Sequence, residues 1–150
     1  MALALDETDV KLLTALENDA RRPLREIAKE IGVSAVTVMN RMKALEKAGM
    51  IIGYTARLNP AKIGFEITAV ISVKVKGGQL IQVQQRIAKD SHICGVYDVT
   101  GDFDAIVIAR FKNVRDLNSF VKKILAGEGI ERTVTQIALN VIKEDFRVNF

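Results

Sequence analysis

The chain has 150 residues, 22 of them basic and 18 acidic, for a net charge of +4. Its hydrophobic content of 49% excludes a disordered chain. One cysteine, Cys94, and one histidine, His92, exclude an intrachain disulfide scaffold and a Cys/His metal cluster.

No apolar run is long enough for a transmembrane helix. Met1 to Asp9 has no basic region ahead of its apolar residues, so a secretory signal is not expected and a cytoplasmic location is. A pI near 9.3 mildly favours an anionic partner.

The hydrophobic period changes near Pro60. Leu5, Leu12 and Leu16 recur at helical spacing and predict a helix from about Asp6 to Asp19. Pro23 suits the first turn of a second helix, with Leu24, Ile27, Ala28 and Ile31 inward and Gly32 at its end. Ser34 is an N-cap for a third helix, about Ala35 to Ala48, whose Val38, Met42 and Leu45 face the core. Residues 50–59 read as an extended linker strand, closed by the turn signal Asn59-Pro60.

Beyond Gly64 the pattern mixes periods. Strands are predicted over Phe65–Val75, Ile93–Thr100, Ala105–Phe111 and Thr133–Ile142. Helices are predicted over Leu80–Lys89 and Val114–Leu125, the second with Leu117, Val121 and Ile124 or Leu125 inward. The order is βαββαβ, a ferredoxin-like arrangement with an antiparallel sheet. The fold class is therefore α+β. Its divisions are 1–50 (three helices), 51–64 (a linker strand or hinge) and 65–150 (the βαββαβ unit).

The stretch from Leu24 to Lys47 meets the needs of a helix-turn-helix: small Ala28 at the close approach, Gly32 at the turn, Ser34 at the cap. Residues 20–47 carry seven basic side chains against three acidic ones. Arg21, Arg22, Arg25 and Lys47 are candidates for the phosphate backbone. Val36, Thr37, Asn40, Arg41 and Lys43 are candidates near bases, with Ser34 at the helix entrance. A basic helix face that is merely solvated is the alternative.

Two carboxylates bracket an aromatic in the turn Gly101-Asp102-Phe103-Asp104. Such a turn can hold an ammonium group, coordinate a cation or simply close a hairpin. Gly-rich phosphate loops, Ser-His-Asp sets and metal-ligand clusters are absent from the sequence, so an enzyme is not expected. His92 reads as an ordinary loop residue and Cys94 as a small buried hydrophobe.

The segments LREIAKEIGVSAVTVMNRMKALEKAGMIIGYTARLNPAKIG, LDETDVKLLTALENDAR and VYDVTGDFDAIVIAR resemble the Lrp/AsnC, or feast/famine, transcription regulators of bacteria and archaea. The resemblance covers nearly the whole chain. It implies that residues 1–50 are a winged helix-turn-helix DNA-binding domain, that residues 65–150 are a ligand-binding and oligomerisation domain, the regulation-of-amino-acid-metabolism (RAM) domain, and that dimers form through its sheet and assemble further, to octamers. It also implies an amino-acid effector pocket between dimers, built from the G-D-[FY]-D turn and the start of the last strand. Carried to this sequence, those positions are Asp98, Thr100, Gly101, Asp102, Phe103, Asp104, Thr133, Thr135, Gln136 and Ile137. Asp102 or Asp104 would pair with the effector's ammonium group. Polar Gln136 makes glutamine or another polar amino acid as good a candidate as leucine. No cofactor, metal or membrane is implied, and the partner is double-stranded DNA. An architectural, chromatin-like protein that wraps DNA with little sequence preference is the rival reading.

Overall fold

The computed structural model describes residues 4–125, 127–148 and 150. The chain forms two compact units, one ending at Arg57 and rejoined by the residues from Asp145 on, the other spanning Leu58–Glu144.

The first unit holds three helices, α1 (Glu7–Asn18), α2 (Leu24–Ile31) and α3 (Ala35–Lys47). Asp6 caps α1 by accepting from the Asp9 N–H at 2.8 Å, while Asp9 accepts from the Asp6 N–H at 3.2 Å. This reciprocal pair satisfies two otherwise orphaned donors. Gly32 ends α2 at φ +78°, in the left-handed region that side chains with a Cβ rarely adopt. Ser34 Oγ then accepts from the Thr37 N–H at 3.0 Å and starts α3. Leu12, Ile27, Val38 and Leu45 are fully buried where the helices meet. Each such burial contributes about 1.5–3 kcal/mol.

No residue from 4 to 66 lies in a strand. The expected wing and linker strand are therefore absent: residues 51–59 take no sheet partner among the described residues. The last residues also depart from the expected division. Val148 N–H donates to Glu17 Oε1 at 3.0 Å and Arg147 to Asn18 Oδ1 at 3.3 Å, which ties them to α1 rather than to the sheet.

The second unit is a four-stranded antiparallel sheet in the order β2-β3-β1-β4, from β1 (Ile67–Val75), β2 (Ile93–Asp98), β3 (Ala105–Phe111) and β4 (Ile130–Ile137). Helices α4 (Leu80–Ala88) and α5 (Val114–Leu125) cover one face. Alternate residues Ala69, Ile71, Val73 and Val75 bury beneath Val83, Ile87, Leu117, Phe120 and Ile124. Ile124 thus answers the inward position of α5, and the Leu125 side chain lies outside what is described. β4 starts and stops earlier than Thr133–Ile142. Ile130 is its buried anchor, and β1 begins only at Ile67, so no ladder partner remains past the Ala138 N–H, which reaches Thr68 O at 2.9 Å.

Two other expectations change. Cys94 is exposed, because the register of β2 on β3 shifts between Ile93 and Gly95 and turns it out of the core. His92 keeps its expected place in the turn before β2, but it is engaged there rather than ordinary. Its Nδ1 lies 2.7 Å from Asp90, its Nε2 3.3 Å from Asp116, and its ring stacks on Phe111 at 4.9 Å.

Candidate nucleic-acid interface and effector turn

The inner stripe of α3 is Val38, Arg41, Met42 and Leu45; Val38 and Leu45 are buried and Met42 packs beside them. On the opposite side Val36, Asn40, Lys43 and Lys47 repeat at helical spacing and are all exposed. Val36 keeps 62% of its surface, a large apolar exposure on an otherwise polar stripe. Among the described residues Lys43 and Lys47 have no ion-pair partner, and neither has Arg25 on α2.

The remaining predicted DNA contacts separate by role. Arg21 is exposed, its backbone N–H bonded to Asp19. Arg22 is half-buried and pairs with Glu30, so it ties the loop before α2 to that helix. Ser34 and Thr37 bond each other through their hydroxyls at 2.8 Å and serve the α3 cap. Arg41 is corrected more sharply. Its Nη1 donates to Asp6 Oδ2 at 2.7 Å and to Asp9 Oδ1 at 2.8 Å, on the core side of α3. The Asp9 N–H and then Arg41 hold the Asp6 carboxyl below its ordinary value. The sequence gives no spacing cue for a pair this far apart along the chain.

Tyr54 is a second residue that periodicity misses. Its hydroxyl donates to Glu46 Oε1 at 2.9 Å, holding an acid of α3. Burial first, then the Glu46 carboxylate, push the Tyr54 hydroxyl up to about 12.

In the second unit the turn after β2 exposes Asp98, Thr100, Gly101 and Asp102, with Gly101 at φ +118°. Asp104 is not available in the way the sequence suggests. Its Oδ2 accepts from the Val75 N–H at 2.8 Å and its Oδ1 from Lys74 Nζ at 3.2 Å. The Val75 N–H, then Lys74, lower the Asp104 carboxyl from its ordinary value. Asp102 has no hydrogen bond or ion pair among the described residues, so it is the open carboxylate of the turn.

β4 also corrects the expected pocket wall. Thr133 and Thr135 pair with Val73 and Ile71 and share their face of the sheet; Ile137, exposed, pairs with Ala69 on that face. Gln136 pairs with Val70 on the other face, together with Val134 and Arg132. The three polar side chains therefore do not form one wall. Arg132, which sequence reasoning passed over, sits over the Phe103 ring at 4.9 Å and so belongs with the turn. Among the described residues no group of three or more acids, histidines or cysteines is arranged to hold a metal, and no helix is long and apolar enough to cross a membrane.

A capped helix-turn-helix with one bare basic stripe, joined to a βαββαβ unit, defines a DNA-binding transcriptional regulator with a ligand-binding domain. Comparison with known proteins agrees. The AsnC-type helix-turn-helix domain model matches residues 5–46 and the Lrp/AsnC ligand binding domain model residues 68–148. An uncharacterized HTH-type transcriptional regulator of Pyrococcus furiosus is 45% identical over 97% of this chain and 99% of its own. HTH-type transcriptional regulator FL11 of the same organism is 41% identical over 93% of each chain. The feast or famine regulatory protein of M. tuberculosis, solved in complex with L-methionine, superposes with a TM-score of 0.86 at 27% identity, over 97% of this chain and 99% of that one. The structure of E. coli AsnC shares the fold at a TM-score of 0.88 and 23% identity, over 95% of this chain and 97% of that one. The chain belongs to the Lrp/AsnC family of DNA-binding transcriptional regulators, which are not enzymes.

Proposed function

We propose that this protein regulates transcription in the cytoplasm by sequence-specific DNA binding that an amino-acid effector modulates. The observation that carries the reading is the stripe Val36, Asn40, Lys43 and Lys47, exposed and free of ion pairs at the outer side of α3. Asn offers a bidentate pair to adenine, Val a methyl contact to thymine, and the lysines phosphate contacts. Arg21 and Arg25 add phosphate contacts beside it.

The effector reading rests on the turn. Asp102 offers a carboxylate for an α-ammonium group, and Arg132 over Phe103 offers a guanidinium for an α-carboxylate. The L-methionine complex of the M. tuberculosis relative supports an amino acid as the ligand class. Gln136 keeps glutamine beside methionine and leucine as candidates.

Assembly through the sheet is part of the same proposal. The sheet face away from α4 and α5 presents Val70, Ile106 and Ile108, half-buried, and Val134, exposed. An apolar face of this kind suits a second copy, giving a dimer and, through further contacts, an octamer.

Footprinting on genomic fragments with excess random competitor, repeated with each of the twenty amino acids, tests all of this. A discrete footprint that one amino acid shifts or abolishes is the expected result. Protection that spreads without sequence preference and ignores every amino acid would replace this reading with DNA wrapping.

A further inference from the structure

The start of α1 and the middle of α3 meet in one closed polar cluster. Asp6 and Asp9 each accept a backbone N–H from the other, and each turns its second oxygen to the same nitrogen of Arg41. All four carboxylate oxygens are engaged. Asp9 is only 6% exposed. An ionised carboxylate at that depth needs both a countercharge and donors, and Arg41 supplies both.

The cluster does something the core does not. Val38 and Leu45 hold α3 against the bundle, but apolar contact has little directional preference. Charge-assisted hydrogen bonds are directional, so two of them from one guanidinium resist rotation of α3 about its own axis. A turn of the helix re-aims Asn40 and Lys43 together.

We propose that Arg41 is a positioning residue for DNA recognition: clamped by Asp6 and Asp9, it sets the rotation of α3 and thereby the aim of the Val36, Asn40, Lys43 and Lys47 stripe. The inference rests on α3 being the helix that reads DNA. It assigns Arg41 no contact with DNA, and it makes two acids at the start of α1, the cap Asp6 and Asp9, necessary for binding a polyanion.

That last consequence gives the test its sign. If Asp6 and Asp9 acted on DNA only through their field, neutralising either would tighten binding. The clamp requires the reverse. The full chain is titrated by fluorescence anisotropy, over a salt series, with a duplex selected by the wild-type protein from a random library. Asp9→Asn and Arg41→Gln are each expected to weaken binding about tenfold, and the double variant no further than either single one. The slope of log affinity against log salt stays at the wild-type value, and Arg41→Lys recovers part of the loss. Asp6→Asn keeps an acceptor for the cap and carries the same test should Asp9→Asn not fold. Tighter or unchanged binding in the Asp variants, with a slope reduced by about 0.9 in Arg41→Gln, would instead make Arg41 a phosphate contact and overturn the proposal. Lys43→Ala is measured alongside. If it changes neither affinity nor slope, the DNA-reading role of α3 fails and the clamp with it. If it weakens binding while the clamp variants do not, the clamp alone fails.

Discussion

The backbone N–H of Val75 donates to Asp104 Oδ2 at 2.8 Å, so the second carboxylate of the Gly-Asp-Phe-Asp turn is part of the sheet's construction. The Asp104 N–H also reaches Val73 O at 3.0 Å, which fastens the turn to β1 twice. The two acids of one short motif thus have different work. Asp104 holds the turn in place, and Asp102 is left facing solvent.

Asp104→Ala should therefore lower the melting temperature in the absence of any effector. The sign with pH follows from its lowered carboxyl. A group whose folded pKa lies below its ordinary 3.8 contributes stability above that value and loses it as pH falls through the folded one. The gap between wild type and variant should be full at pH 7 and close in strong acid, as thermal melts across that range will show. A variant that melts like wild type at neutral pH but ignores amino acids would return Asp104 to the ligand.

Asp102→Asn should do the opposite. It should leave the melting temperature near that of wild type, because no partner is lost. It should abolish the stabilisation that the effector gives, since ligand bound to the folded state raises the melting temperature. A thermal-shift screen of both proteins against the twenty amino acids reads this directly. An unchanged response in Asp102→Asn would remove that carboxylate from the site.

The reason Asp104 misleads from sequence is general to this chain. Elements were legible because their signals are local: the Ser34 cap, the left-handed Gly32 and the alternation from Ala69 to Val75 each act within one turn or strand. The sites were half legible. Asn40 and Lys43 follow from helical rotation once Val38 is placed inward. Arg41, Asp104 and Arg132 do not, because their partners Asp9, Val75 and Phe103 come from other elements. The ends of β4 failed for a related cause, since a strand ends where its partner strand does.

Asp90 offers a second pH-dependent contribution. Burial opposes its ionisation, yet hydrogen bonds from Lys123 and His92 outweigh that and bring it to about 2. Its folded pKa is thus below the ordinary 3.8, so its contribution is present above pH 4 and lost between there and about 2. Asp90→Asn should cost about 1–2 kcal/mol at pH 7, a figure reduced for solvent screening. Denaturant melts at pH 7 and at the acid end check it. A cost that persists undiminished at the acid end would point to packing around His92 and Phe111 instead of charge.

Asn40 carries the base-reading part of the function. It stands one turn beyond Val36 and one before Lys43 on the exposed stripe of α3. A bidentate amide contact to adenine discriminates by about 1–3 kcal/mol at one base pair, whereas a lysine on a phosphate lowers affinity for all sequences alike. Asn40→Ala should therefore relax preference at one position in each half-site and leave the salt dependence unchanged. Lys43→Ala should weaken every duplex and flatten the salt slope. Selection from a random library with both variants separates these outcomes. A selected motif that is identical for wild type and Asn40→Ala would move base recognition elsewhere on the stripe, with Val36 next in line because its 62% exposure leaves its methyls open to a thymine.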